Sequence, residues 1–205
     1  MIFFGSVIIG NLFIKLEASK ATLRKRFLTK RSELSQQDKE TQSLAIANHC
    51  LQLPIWEKEF FHLFLPIATK GEIDSTFLLT LLQGRDKQVV LPKVQGDKLL
   101  HFLLTDSTKL KRNPWGIPEP EQGLAIAPEQ LDVVFIPLLA WDKEGHRVGY
   151  GKGFYDSFLS RCKPEVIKIG LSFFEAVESI SDLRPEDVPL DFCVTPLGVQ
   201  SFVPN

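Results

Sequence analysis

The sequence has 205 residues, 44% hydrophobic and 24% charged, which suits one globular domain. Its formal net charge of -1 excludes bulk attraction to nucleic acid or anionic lipid, so an anion site must be built locally from a few Lys and Arg side chains. Three cysteines lie far apart without a CxxC pair, which favours reduced thiols over a disulfide framework. We therefore expect a cytoplasmic protein that does not bind nucleic acid. We also expect a monomer with small-molecule partners.

The first fourteen residues are mostly apolar and carry no charge before Lys15. They lack the positive amino end and the cleavage site of a signal peptide, and the apolar run is too short and too interrupted to span a bilayer. We interpret residues 1–18 as an amino-terminal extension and residues 19–205 as one domain. No stable membrane association is expected, and a membrane anchor is the alternative.

Two helices are predicted at the start of this domain. The first, over residues 20–32, is basic with an apolar stripe. The second begins at Ser35, a good N-cap three residues before Asp38, and runs to about residue 52. The apolar faces are predicted to consist of Leu23, Phe27 and Leu28 in the first helix and Leu44, Ala45, Ala47 and Leu51 in the second.

Short apolar runs then alternate with helical patterns. We predict strands at residues 62–67, 88–91, 98–104, 133–139, 166–171 and 192–195. We predict helices at residues 75–82 and 155–161, and a long functional loop at residues 105–128. This order predicts an α/β fold in a single domain, with a central, mostly parallel sheet and helices on both faces.

The segment Arg147-Val-Gly-Tyr-Gly-Lys-Gly-Phe-Tyr-Asp156 contains three alternating glycines just before a predicted helix. Glycines let backbone N–H groups approach a ligand, and the amino end of a helix adds partial positive charge. Arg147 and Lys152 add full charges, so we interpret the segment as a phosphate-binding loop. The spacings of a P-loop and of a dinucleotide fingerprint are absent. A flexible surface turn is the alternative.

Two acidic residues are candidate Mg²⁺ ligands. Mg²⁺ usually takes one or two carboxylates together with phosphate oxygens. Asp156 follows the glycines, where it also suits a helix start, and Asp191 precedes the last predicted strand, where a solvated loop acid is the alternative. Lys20 and Arg24 share a helix face at i and i+4, as a phosphate clamp or as a solvated basic stripe.

Two further features suggest a flat ligand. Glu72 stands near a predicted strand end, where an acid can bind a heterocycle rich in hydrogen-bond donors, whereas Asp74 needs only to cap a helix. Trp115 and the neighbouring prolines fit a wall over such a ligand, or ordinary loop packing.

In this order, these segments resemble the 5-formyltetrahydrofolate cyclo-ligase family. The matching pieces are KATLR (20–24), GEID (71–74), LPKV (91–94), GIPEP (116–120), FIPLLAWDKEGHRVGYGKGFYD (135–156) and VPLDF (188–192). The RxGxGxGxYD block is highly specific, and the others gain weight as an ordered set. The resemblance covers about residues 19–195 and implies one α/β domain.

The resemblance also implies a reaction. ATP and 5-formyltetrahydrofolate would give 5,10-methenyltetrahydrofolate, ADP and phosphate, with Mg²⁺ as cofactor and ATP as co-substrate. The formyl oxygen would attack the γ-phosphate, and the folate N10 would then displace phosphate. Such catalysis is mostly positioning and stabilisation of phosphoryl charge.

The resemblance assigns roles by position. It implies ATP contacts at Lys20, Arg24, Arg147, Val148, Gly149, Tyr150, Gly151, Lys152, Gly153, Phe154 and Tyr155. It implies folate contacts at Arg24, Glu72, Tyr150, Gly151, Lys152, Gly153 and Phe154. The catalytic candidates are Arg147, Lys152 and Tyr155, and the Mg²⁺ candidates are Asp156 and Asp191.

Two other classes of protein remain open. A non-catalytic binding module of the same fold should lose Arg147, Lys152 or Asp156, all of which are present. An enzyme acting on sugar phosphates without ATP would use the basic glycine loop, but it would leave the GEID and GIPEP segments unexplained.

Overall fold

The computed structural model describes residues 17–114 and 116–203, so most of the predicted extension at 1–18, and Trp115, lie outside the described residues. Within them, the helices are Lys20–Glu33 (α1), Gln36–Cys50 (α2), Thr76–Gln83 (α3) and Phe154–Leu159 (α4). The strands are Glu17–Ala18 (β1), Phe60–His62 (β2), Gln88–Gln95 (β3), Lys98–Leu103 (β4), Leu110–Arg112 (β5), Pro118–Pro120 (β6), Val133–Pro137 (β7), Ala140–Trp141 (β8), Arg147–Val148 (β9), Ile167–Leu171 (β10), Ser179–Ile180 (β11), Phe192–Thr195 (β12) and Gly198–Ser201 (β13).

Seven of these strands form the central sheet, in the order β13-β12-β10-β7-β2-β3-β4. The five inner strands pair in parallel, and the edge strands β13 and β4 pair antiparallel with their neighbours. The predicted mostly parallel sheet is therefore confirmed. The edge strand β13 was not predicted, because its sequence, Gly-Val-Gln-Ser, carries only one apolar side chain.

The sheet is buried on both faces. Along β7, Val133 and Phe135 join one apolar cluster, which includes residues of α2 and α3, whereas Val134 and Ile136 join another, which includes residues of α4. Side chains alternate across a strand, so the two clusters occupy opposite faces of the sheet. Helices on both faces are thus confirmed. A third cluster holds α1 through Leu23.

The strand β3 is longer than predicted, because it continues through Pro92. The neighbouring strand β2 ends at His62, which pairs with Val90, and from there onward β3 pairs only with β4. Proline is tolerated in a strand where its missing N–H faces no partner. The prediction of a strand at 62–67 was wrong after its first residue, because β2 ends at His62.

The start of α2 is confirmed, since the Ser35 hydroxyl accepts a hydrogen bond from the backbone N–H of Asp38 at 3.0 Å. Its predicted buried face was wrong in part, because Leu44 and Leu51 are 46% and 38% exposed. The residues that are buried follow the spacing i, i+3, i+4, i+7 and are Ser43, Ile46, Ala47 and Cys50. Helical spacing therefore predicts which residues of α2 are buried better than the hydrophobicity of individual residues does. Leu28 of α1 is likewise 40% exposed.

The predicted long loop at residues 105–128 contains a hairpin of β5 and β6. Strand β6 lies beside β3, so the hairpin extends the wall around the carboxyl end of the sheet. Among residues 17–114 and 116–203, no helix has the length and apolar character needed to cross a bilayer.

Two histidines lie inside the core. His101 is 3% exposed, its ring centroid is 5.3 Å from that of His62, and Phe158 packs against both rings. Within the described residues neither ring nitrogen of His101 has a hydrogen-bond partner. Burial lowers the pKa of His101 to about 4, and the positive charge of Arg161 adds to the effect.

We therefore expect the protein to lose stability on acidification. The unfolded chain binds a proton at His101 below about pH 6.5, but the folded protein binds one only near pH 4, so the loss develops across that window. The His101 contribution should reach about 2 kcal/mol at pH 5. Urea unfolding at pH 7.5 and pH 5 measures it in wild type and in His101→Leu. An equal loss in both proteins would contradict the assignment.

Candidate active site

A cavity of about 1240 Å³ opens at the carboxyl ends of the central strands. Its floor includes Phe64, which follows β2, Pro92 of β3, which lies just beyond the pairing with β2, and Pro137, which ends β7. Its sides come from α1, the glycine loop (residues 149–153) and the segment 182–188. The carboxyl edge of an open parallel sheet is the usual ligand site in α/β folds.

The glycine loop is fastened to α1. Nε of Arg24 donates a hydrogen bond to the Gly149 carbonyl oxygen at 2.9 Å. Gly151 has φ +89°, and a Cβ there would lie 3.2 Å from the guanidinium carbon of Arg24. Gly153 has φ +70° at the N-cap of α4, so both positions need glycine. The loop can therefore pass close to the helix and to a ligand.

Arg147 is tied to the protein itself. Its guanidinium donates to Oδ1 of Asp156 at 2.6 Å and to the carbonyl oxygen of Val188, and its side chain is only 7% exposed. Oδ1 of Asp156 also accepts from the backbone N–H of Val188 at 3.2 Å. This ion pair joins β9, α4 and the segment 182–188 at the cavity wall. Both residues line the cavity.

Lys20 is bound in a similar way. Its ammonium group forms an ion pair with Asp187, and its backbone N–H donates to Oδ1 of Asp182 at 2.6 Å. Partial burial raises the pKa of Asp187, but the hydrogen bonds from Lys20 and from the backbone N–H of Arg184 outweigh this and lower it overall. Asp187 therefore stays ionised beside the cavity, where it was not predicted as a site residue.

Glu72 belongs to a buried chain of hydrogen bonds. The Tyr150 hydroxyl donates to Oε1 of Glu72 at 2.5 Å, and the backbone N–H of Ile67 donates to Oε2 at 2.8 Å. Burial raises the pKa of Glu72, and the hydrogen bond from Tyr150 opposes that rise. The guanidinium of Arg31 donates to the Tyr150 hydroxyl at 2.8 Å. Nζ of Lys70 lies 4.4 Å from the Tyr150 ring centre.

Arg31 was not predicted, although the sequence carried a signal for it. It stands seven residues after Arg24 and eleven after Lys20, so the three cations share one face of α1. A helix rises 1.5 Å per residue, which places Arg31 about 10 Å beyond Arg24 along the axis. This face of α1 therefore extends from the ion pair of Lys20 with Asp187 to the buried hydrogen bonds around Glu72.

The other predicted loop residues take different positions. Lys152 is exposed, lines the cavity and has no hydrogen bond or ion pair within the described residues. Phe154 and Tyr155 also line the cavity, and burial raises the pKa of the Tyr155 hydroxyl, which keeps it protonated. Val148 is fully buried in the cluster under α1 and does not line the cavity.

The two predicted Mg²⁺ candidates do not come together. Oδ2 of Asp191 accepts from the backbone N–H of Lys168 and pairs with its ammonium group, both at 2.7 Å, and Asp191 does not line the cavity. Asp191 precedes β12, so it stands at the amino end of a parallel strand, whereas the cavity lies at the carboxyl ends. Asp156 shares the cavity wall with Asp187 instead. Within residues 17–114 and 116–203, no group of three or more His, Cys, Asp or Glu residues could hold a metal ion.

This arrangement defines an α/β protein with a large cavity whose wall includes a cationic helix face and the glycine loop held against it. Residues 16–196 match the sequence model of the 5-formyltetrahydrofolate cyclo-ligase family. The chain belongs to that family and is a ligase, which confirms the resemblance drawn from the motifs.

Named relatives align with most of the chain. The 5-formyltetrahydrofolate cyclo-ligase of Haemophilus influenzae is 33% identical over 155 residues, which is 71% of this chain and 81% of that protein. The 5-formyltetrahydrofolate cyclo-ligase of Mycoplasma genitalium is 29% identical over 179 residues, covering 85% and 96% of the two chains. The solution structure of Aquifex aeolicus 5,10-methenyltetrahydrofolate synthetase matches with a TM-score of 0.74 and 31% identity, covering 91% and 94%.

Two substitutions in the glycine loop test its contact with α1. Gly151→Ala should destabilise the fold by about 1–2 kcal/mol, because φ +89° is strained for alanine and its Cβ would press on Arg24. Gly149→Ala should change stability by less than about 0.5 kcal/mol, since nothing lies within 4 Å of an added Cβ. Denaturant unfolding compares the two variants. Equal destabilisation would show that the loop is not held against α1.

Proposed function

We propose that the protein converts ATP and 5-formyltetrahydrofolate to 5,10-methenyltetrahydrofolate, ADP and phosphate. Family membership supports the reaction class. The observation that carries the proposal for this chain is the cavity, where Lys152 of the glycine loop, without an ion pair among the described residues, lines the same space as the buried Glu72. One part suits a phosphate chain and the other a flat, donor-rich ring.

The ATP phosphates belong at the glycine loop in this proposal. Lys152, Lys20 and Arg24 supply positive charge there, and the loop brings backbone N–H groups and the amino end of α4 to the same wall. Lys20 already faces Asp187 and Arg24 already binds Gly149. Within the described residues Lys152 has neither a carboxylate partner nor a hydrogen bond, so its whole ammonium group is available to a phosphoryl oxygen.

The residues present fit a Mg²⁺ ion held largely by phosphate. Asp156 and Asp187 line one wall, and Mg²⁺ usually needs only one or two protein carboxylates besides phosphate oxygens and water. Within the described residues Oδ2 of Asp156 has no hydrogen bond, so it can contact a cation while Oδ1 keeps Arg147. The ion would neutralise charge on the phosphate chain. We propose Asp187 in place of Asp191 for this role.

The folate ring belongs at Glu72. Each carboxylate oxygen accepts one hydrogen bond from the protein and keeps acceptor capacity for the ring N–H groups. Apolar side chains of Leu91, Leu99 and Ile136 line the same cavity and suit the faces of a flat ring. The Tyr150 to Phe154 segment then lies between the ring and the phosphates.

The chemistry follows from this placement. The formyl oxygen attacks the γ-phosphorus and ADP leaves, which turns a poor leaving group into phosphate. The folate N10 attacks the formyl carbon, its proton is lost, and phosphate departs with the former formyl oxygen. The protein supplies alignment of the two ligands and positive charge near the γ-phosphoryl oxygens, which is the main demand of phosphoryl transfer. Arg147, paired with Asp156, keeps the loop and α4 in position.

Product formation tests the reaction and its metal requirement. Absorbance of the methenyl product should grow with 5-formyltetrahydrofolate only when ATP and Mg²⁺ are both present, because Asp156 and Asp187 suit a cation shared with phosphate. Omission of ATP and addition of excess chelator are the two controls. Equal rates in chelator would remove the metal from the proposal, and product without ATP would overturn the reaction itself.

Lys152→Ala separates catalysis from folding. The side chain is exposed, so stability should change by no more than about 0.5 kcal/mol. Turnover should fall on the order of 100-fold, because the substitution removes a positive charge that stabilises the phosphoryl group in the transition state. ATP affinity should fall less, since Lys20, Arg24 and the loop remain. Lys25→Ala, an exposed lysine on α1, is the matched control. Near wild-type turnover in Lys152→Ala would exclude it from the mechanism.

A further inference from the structure

Among the described residues, Arg31 is a buried cation without an acidic partner of its own. It is 4% exposed, and its guanidinium donates to the Leu138 carbonyl oxygen at 2.6 Å and to the Tyr150 hydroxyl at 2.8 Å. Within the described residues its Nε has no hydrogen-bond partner, and no carboxylate lies within ion-pair distance. A buried charge in this state is costly, and an apolar side chain would fill the space at a lower cost. Packing alone therefore does not account for Arg31.

The hydrogen bonds of Arg31 have only one direction. A guanidinium group has donors and no acceptor, so the Tyr150 hydroxyl oxygen must accept from Arg31. The single hydroxyl proton is then left for Oε1 of Glu72. The backbone N–H of Ile67 occupies Oε2 in the same sense. Both Glu72 oxygens are thus fixed as acceptors toward the protein.

Arg31 acts at a distance from the ligand. It does not line the cavity, whereas Tyr150 and Glu72 do. It nevertheless orients the Tyr150 hydroxyl toward Glu72 through the two hydrogen bonds of that hydroxyl. Lys70, Tyr150 and Tyr155 are the other titratable groups that interact with Glu72.

We propose that Arg31 is a positioning residue for the folate ring, which holds Glu72 through Tyr150 as an oriented acceptor for the ring N–H groups. This inference rests on the proposed function, which places the ring at Glu72. Arg31 lies about 10 Å beyond Arg24 along α1. Its effect should therefore fall on the folate and not on ATP.

Steady-state kinetics separate these two effects. In Arg31→Met, kcat/KM for 5-formyltetrahydrofolate at saturating ATP should fall about 10-fold, as expected when a hydrogen bond to a charged group is lost. The KM for ATP should stay within about 2-fold of wild type. Arg26→Met, an exposed arginine on the same helix, is the matched control and should leave both values unchanged. A parallel rise in both KM values, or no change in kcat/KM for the folate, would overturn the proposal.

The relay through Tyr150 is tested by a double substitution. Tyr150→Phe removes the hydroxyl that links Arg31 to Glu72, so Arg31→Met should cost less than about 2-fold more in that background. Independent, multiplying losses would show that Arg31 does not act through Tyr150. If Arg31→Met does not fold, Arg31→Lys replaces it. Lysine keeps the charge but not the planar group that donates to both Tyr150 and Leu138, so kcat/KM for the folate should still fall, and an unchanged value would overturn the proposal.

Glu72→Gln distinguishes failure of this inference from failure of the proposed function. If Glu72→Gln leaves kcat/KM for the folate unchanged, the ring does not bind there, and the placement under the proposed function is wrong. If Glu72→Gln lowers kcat/KM for the folate at least about 10-fold while Arg31→Met leaves it at the wild-type value, only the role of Arg31 is overturned.

Discussion

The shape of the cavity depends on the contact of one face of α1 with the glycine loop. Arg24 binds the carbonyl oxygen of Gly149, and Arg31 binds the hydroxyl of Tyr150, the next residue along the chain. A loop with several glycines loses much conformational entropy on folding and has few side chains of its own to hold it. The rigid helix supplies the missing contacts, and it aligns the loop with Glu72 at the same time.

The second constraint is charge balance among the side chains that line the cavity. Lys20 faces Asp187 and Arg147 faces Asp156, so these cations are already compensated by carboxylates of the protein. A phosphate ligand gains less from a compensated cation, because it must compete with the carboxylate already present. Lys152 has no such competitor within the described residues. For this reason the exposed Lys152 of the glycine loop is a strong electrostatic candidate for contact with a phosphate.

Sequence patterns predicted the sheet and the helices well, because buried parallel strands are continuous apolar runs and Ser35 marks a helix start clearly. They failed where a partner elsewhere in the chain decides the outcome. Strand β3 passes through Pro92 because β2 ends beside it, and sequence alone does not show where a neighbour ends. Helix spacing already placed Arg31 on the face of Lys20 and Arg24, but only the fold shows that Tyr150 meets it.

Two acids in the segment before β12 show that sequence alone also cannot decide which carboxylate reaches the site. Asp187 and Asp191 are four residues apart, a separation that an extended chain can stretch to about 13 Å. Asp187 stays at the cavity with Lys20, and Asp191 reaches the amino end of the sheet, where Lys168 holds it. Both are carboxylates in one short segment, so residue type could not distinguish them. The direction of β12 does, since a residue that precedes a parallel strand lies opposite the edge where ligands bind.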